Sequence, residues 1–306
     1  MNDMLKMLKD LLARLGCAPA LALLIALVVL AFLGITQPWS SDDDGEETPT
    51  PTAQAATSTA SSQATTAASP SRSGAIDPNE PIADGLVGLW HFDADATDAS
   101  GNGNDGSAVD AAYGSGVFGQ ALQLNGQTTH VRVPDSASLN PTAAISVQAW
   151  YQGPAFRGAG NNALVDKGAD SHEPPFYQYH LGVTGSEYRA DLTGNQPGFN
   201  VTIDGTVRSL SGTDAQLVVG MWHHLVFTFD GARAIFYVDG VVAREAAVAG
   251  ALPAFGDPEF NTDLFIGTFA NLNTQPAQFI PGAVDEVAIW DRALSESEVM
   301  ALANSR

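Results

Sequence analysis

The chain has 306 residues, with 34 Asp and Glu against 13 Lys and Arg, a formal charge of -21, a single Cys and 45% hydrophobic residues. So acidic a surface repels polyanions, and no basic cluster offers a track for phosphates, which excludes nucleic acid as a partner. The lone Cys17 excludes an intrachain disulfide, so a large apolar core, assisted at most by a metal, must hold the fold.

Met4, Leu5, Leu8, Leu11, Leu12 and Leu15 recur at helical spacing and predict a short amphipathic helix. It leads into Cys17 to Thr36, a run without a charge. At ~1.5 Å per residue this run matches a hydrocarbon core roughly 30 Å thick. No small-x-small cleavage site follows it, which predicts an uncleaved transmembrane anchor with Trp39 at the interface. Lys6, Lys9 and Arg14 precede the span, while Asp42, Asp43, Asp44, Glu46 and Glu47 follow it. The positive flank places the N-terminus in the cytoplasm and the C-terminal part outside. Residues 1–40 are thus expected to form the anchor. Residues 41–84, built of Ser, Thr, Ala, Pro, Gln and acids, are expected to be a disordered linker with almost nothing to bury.

Residues 85–306 read as one all-β domain. In ISVQAWYQ, Ile145, Val147, Ala149 and Tyr151 alternate with Ser146, Gln148 and Trp150, the period of a strand. The runs WHHLVFTF, AIFYVD and VVAREAAV are separated by Asp230-Gly231 and Asp239-Gly240, turn dipeptides that predict a three-stranded antiparallel meander. Ser295 and Glu298 stand at capping-box spacing ahead of Val299, Met300 and Leu302 and predict one short terminal helix. The absence of earlier helical periods excludes a βαβ architecture.

Four phrases in order, GLVGLWHFDADATDASGNGNDG, GQALQLNGQTTHVRVPDS, MWHHLVFTFDGARAIFYVDG and PGAVDEVAIWDRALSESEV, resemble the LamG-like jelly rolls of the concanavalin A-like superfamily. The resemblance covers nearly all of residues 85–306 and implies a two-sheet antiparallel jelly-roll sandwich. It implies no single function, because that family includes lectins, adhesion modules and glycan-degrading enzymes.

Calcium takes six to eight oxygens, and a Gly-rich turn lets backbone carbonyls converge. DASGNGNDG supplies such a turn, and in related jelly rolls an Asp opening the last strand, matched here by Asp285, holds a structural calcium. The expected site joins Asp93, Asn102, Asn104 and Asp285. The competing reading gives Asn and Gly to turn geometry alone. His223 and His224, adjacent on a strand, must face opposite ways and cannot share a metal; His224 is expected to be packed and hydrogen-bonded. The remaining histidines have no zinc-type spacing.

Retaining glycosidases need two carboxylates about 5 to 5.5 Å apart, and the Glu-x-Asp-x-x-Glu strand of the related glucanases is missing. Strict alternation puts Asp285 and Asp291 on one face and Glu286 on the other, and the meander carries Phe227, Phe229, Phe236 and Val238 where acids would be needed. A non-catalytic module is therefore expected. Its ligand is a glycan or a cell-surface protein, held at an edge rim of His172, Glu173, Phe176 and Tyr177, where aromatics meet sugar C–H faces and polar groups read hydroxyls. A structural cell-envelope protein and a glycan hydrolase with an unfamiliar acid pair are the competing expectations.

Overall fold

A computed structural model describes residues 81–158, 162–168, 177–188, 190–210, 215–254, 262–269 and 278–306. The expected anchor, the linker up to residue 80, and His172, Glu173 and Phe176 of the expected rim lie outside the described residues. Among the described residues, no helix is long and apolar enough to cross a membrane.

Two antiparallel sheets face each other. The eight-stranded sheet runs β13 (Val241–Ala247), β12 (Arg233–Val238), β11 (Trp222–Phe229), β6 (Ile145–Gln152), β17 (Pro281–Trp290), β4 (Gln120–Asn125) and β3 (Ala112–Ser115), with β1 (Leu86–Trp90) also paired to β17. The seven-stranded sheet runs β10 (Thr206–Ser209), β9 (Gln196–Ile203), β8 (Tyr177–Thr184), β7 (Asn162–Gly168), β14 (Leu264–Ile266), β5 (His130–Val133) and β2 (Ser107–Val109). A small pair, β15 (Thr268–Phe269) and β16 (Gln278–Phe279), completes the strands among the described residues. First and last strands are neighbours, Leu86 opposite Trp290 and Trp90 opposite Val287.

The alternation read in ISVQAWYQ is observed: Ile145, Val147, Ala149 and Tyr151 enter the core between the sheets. Phe199 of one sheet stacks on Phe227 of the other, their ring centroids 3.8 Å apart and nearly parallel. The predicted meander is β11–β12–β13, and Asp239 (φ 52) and Gly240 (φ 77) take the left-handed pair of conformations that a two-residue hairpin needs.

The outward side chains of the inner strands β1, β11, β12 and β17 of the eight-stranded sheet are buried as well, because a second apolar layer covers them. Leu89, Val226, Ile235, Ala288 and Trp290 pack against Val299 and Leu302 of helix α1 (Glu296–Ala303). The expected capping box is formed, with Ser295 accepting from the Glu298 backbone and Glu298 bonding back to the Ser295 N–H. The consecutive strands β4 and β5 do not pair with each other. The chain crosses between the sheets at Asn125 to Thr129, where the Asn125 carbonyl oxygen Oδ1 accepts the N–H groups of Gln127, Thr128 and Thr129.

Candidate functional site

The Gly-rich turn after β1 is organised by Asp98, which was not singled out in the sequence. Its Oδ1 accepts from Leu89 N at 3.0 Å and Ser100 N at 2.8 Å, and its Oδ2 accepts from Ser100 Oγ and Asn104 N, both at 2.9 Å. The two asparagines serve the same strand. Asn102 Nδ2 donates to Leu86 O at 2.9 Å, and Asn104 Nδ2 donates to Val87 O at 2.7 Å. Both therefore satisfy carbonyls at the start of β1, whereas Asp93 lies beyond its end.

Asp93 and Asp285 meet a different loop, residues 116–120. Asp93 Oδ1 accepts from Gln120 N at 2.6 Å, and Asp285 Oδ2 accepts from Val117 N at 2.8 Å and Phe118 N at 3.1 Å. Glycine is required there, because a Cβ on Gly119 (φ 66) would collide with the Asp93 carboxylate and one on Gly116 with that of Asp285. The structure thus brings two of the four expected calcium ligands to one loop and leaves Asn102 and Asn104 at the other end of β1. Among the described residues, no group of three or more His, Cys, Asp or Glu is placed to hold a metal. The fit to calcium rests on the two carboxylates and would need backbone carbonyls to complete the shell, since Asp285 already spends lone pairs on three N–H groups, that of Glu286 included. Burial, reinforced by the neighbouring Glu286, pushes the Asp285 carboxyl up to about 8.

Strict alternation fails at this point. The pairing of β17 with β6 shifts register between Asp285 and Ala288, and Glu286 takes a left-handed φ of 47. A bulge sets two residues against one, so Glu286 turns to the outer side and meets His91, with Nδ1 to Oε1 at 2.7 Å, instead of pointing away. This corrects the parity expected for Asp285, Glu286 and Asp291. The two acids of the bulge are engaged separately, Asp285 by amides and Glu286 by His91.

His223 and His224 face opposite sides as expected. His223 Nδ1 lies 2.7 Å from Asp239 Oδ2. His224 packs on Trp150 with centroids 4.8 Å apart, but neither ring nitrogen finds a hydrogen-bond partner, so the expected hydrogen bond is replaced by stacking. Burial lowers its pKa to about 3.

The outer face of the seven-stranded sheet is built differently. One row of cross-strand partners traverses it: Ser107, Arg132, Phe265, Asp166, His180, Asn200 and Ser209. With strands about 4.8 Å apart, six spacings give a polar transect of ~29 Å. At its centre, His180 Nδ1 and Asp166 Oδ1 are 2.7 Å apart, both residues buried. The next outward position on β8, Gln178, gives its Nε2 to Pro253 O at 3.2 Å. Three polar atoms of this patch, Asp166 Oδ2, His180 Nε2 and Gln178 Oε1, are buried without a hydrogen-bond partner. Burial raises the Asp166 carboxyl, against the opposing pull of His180 and Lys167. Lys167, wholly buried, reaches Asp135 Oδ1 at 2.7 Å and Thr262 O at 2.6 Å.

Tyr177, the one residue of the expected rim that is described, sits on this patch. It is 7% exposed, and its ring stacks on His180 at 4.6 Å with Phe269 edge-on at 5.8 Å. Burial, with the nearby Asp166 charge, pushes its hydroxyl up to about 12. Asp166 and Gln178 were not among the expected site residues, and His180 was expected only as an isolated histidine. The available signal was the alternation in YQYHLGV, which puts a histidine and a glutamine opposite the core positions of a strand that is otherwise apolar.

Comparison with solved structures returns the same architecture. Domain 4 of AbnA, a GH43 extracellular arabinanase from Geobacillus stearothermophilus solved in complex with arabinotriose, matches with a TM-score of 0.52 and 23% identity, over 72% of this chain and 98% of that one. The binding domain of Paraclostridial Mosquitocidal Protein 1 matches with a TM-score of 0.57 and 16% identity, over 73% and 53%. The Botulinum neurotoxin serotype G binding domain matches with 0.52 and 12%, over 71% and 50%. The chain spans about half the length of these two toxin domains, and identities this low establish the fold alone. No curated protein matches in sequence. The Laminin_G_3 family model matches residues 125–300, more than half of the chain, so the protein belongs to the concanavalin A-like lectin/glucanases superfamily.

Proposed function

We propose that the protein is a non-catalytic glycan-binding module, displayed outside the membrane by the N-terminal anchor and the linker. The observation that carries this reading is the row across the seven-stranded sheet, where six polar residues and one aromatic line a ~29 Å transect whose central pair, Asp166 and His180, keeps Oδ2 and Nε2 without a hydrogen-bond partner. Buried polar atoms are normally satisfied, and a cluster of them without partners on one polar sheet face is a place where a bound molecule can supply the bonds. Hydroxyl groups are donors of the kind these acceptors lack. The solved relative that holds arabinotriose supports a sugar as the class of ligand. The test is binding of the detergent-solubilised full-length chain to a broad oligosaccharide array. Binding weakened at least tenfold by Asn200→Ala is expected, and silence across the whole array would overturn the reading. Extraction of the full-length chain from membranes by alkaline carbonate would refute the anchor.

A calcium ion at the loop of residues 116–120 belongs to the same proposal, with Asp93 and Asp285 supplying carboxylate oxygens. It would fasten the loop to the first and last strands. Chelation should lower Tm, and added calcium should restore it; a Tm indifferent to chelator removes the ion.

A further inference from the structure

The centre of the proposed glycan face has a chemistry of its own. Asp166 and His180 are about 1% and 0% exposed, so a contact with them would have to be made by a single protruding substituent and not by a sugar ring lying flat. Aromatic groups stand around the pair. The Tyr177 ring lies 4.6 Å from that of His180, and Phe269 is edge-on to both, at 5.8 Å from Tyr177 and 6.4 Å from His180. Asp166 Oδ2 and Gln178 Oε1 are acceptors without a partner. A buried carboxyl whose second oxygen has no partner is stabilised either by a proton or by a cation brought to it, and the rings of Tyr177 and Phe269 lie around its partner His180.

The surrounding charges agree. Lys167, the cation nearest in sequence, is committed to Asp135 and Thr262 O, and Arg132 is paired with Asp263. Both cations make their direct contacts to other acids, Asp135 and Asp263, so neither hydrogen-bonds Asp166 Oδ2, although Lys167 from a distance and His180 through Oδ1 draw the Asp166 carboxyl down. His180 engages only Oδ1. An anionic sugar would instead bring its carboxylate against Asp166 within a chain of net charge -21.

We infer that this patch recognises a primary ammonium group, and that the ligand is a glycan containing free amino sugars. The inference rests on the glycan-binding reading and narrows it. The ammonium would donate to Asp166 Oδ2 and Gln178 Oε1, with the rings of Tyr177 and Phe269 alongside.

The test uses the full-length chain in detergent and three trisaccharides of the same linkage, namely the β-1,4-linked trimers of glucosamine, N-acetylglucosamine and glucose, with affinities measured by calorimetry. The glucosamine trimer should bind at least tenfold more tightly than either other trimer. Asp166→Asn keeps the side-chain shape and should abolish that preference. Equal affinities, or tighter binding of the acetylated trimer, would overturn the ammonium inference while leaving the glycan reading in place. Silence of all three, with binding of other sugars on the array, would overturn it too, whereas silence of the entire array defeats the broader reading. A preference that survives in Asp166→Asn, checked as folded by circular dichroism, would also contradict it.

Discussion

Asp98 and Asp166 are buried carboxylates of one sandwich, 8% and 1% exposed, used in opposite ways. Asp98 accepts four hydrogen bonds and thereby fixes the turn that returns the chain to β1. Asp166 accepts from His180 through one oxygen and keeps the other open on a sheet face that carries a row of polar residues. Saturation is the mark of an acid that builds the fold, and the partnerless Oδ2 of Asp166 is the atom that the glycan proposal gives to a ligand. The same contrast separates the two sheets: the outer side of the eight-stranded sheet is largely closed by α1 and its apolar layer, while that of the seven-stranded sheet is polar.

If this contrast holds, the largest effect on stability belongs to Asp98. Asp98→Ala strands the N–H groups of Leu89 and Asn104 and should cost about 3–5 kcal/mol in urea unfolding. A loss below about 1 kcal/mol would show that the turn does not depend on it.

The stacked His224 gives a pH test on the closed sheet. Its folded pKa of about 3 lies below the ordinary value of 6.5, so the folded state refuses a proton that the unfolded chain accepts. Its contribution is complete above pH 6.5 and is lost as pH falls toward 3, with a slope of up to about 1.4 kcal/mol per pH unit. His224→Phe should flatten the stability profile between pH 6.5 and 5; parallel profiles would contradict the assignment.

Ser295→Ala removes one half of the capping box and should cost about 1 kcal/mol, read from the shift in the urea midpoint. An unchanged midpoint would show that α1 is held by its apolar face alone. Smallest in stability is Asp166→Asn, which keeps the shape and a hydrogen bond to His180 and should move stability by less than about 1 kcal/mol in either direction.

Local patterns made much of the fold legible. Alternation gave the face of β6, the Asp-Gly dipeptides gave the meander, and Ser295 with Glu298 gave the terminal helix. What depends on long-range pairing was not legible. Nothing near Asn125 says that β4 and β5 enter opposite sheets. The bulge at Asp285 to Ala288 breaks the period of two on which the placement of Glu286 relied. Asp166 and His180 become partners only once β7 pairs with β8, and Asn104 finds its strand carbonyl seventeen residues back. Composition in the DASGNGNDG turn suited calcium and strand bracing equally well, and only the contacts of Asn102 and Asn104 distinguish the two uses at those positions.

The most direct test of the outer sheet face as a ligand site is a paired measurement on wild-type protein and Asp166→Asn. Urea unfolding and amino-sugar trimer binding are measured on the same preparations of the full-length chain. The prediction is nearly superimposable unfolding curves with affinity reduced at least tenfold in the variant. Unchanged affinity in an equally stable variant would contradict the account.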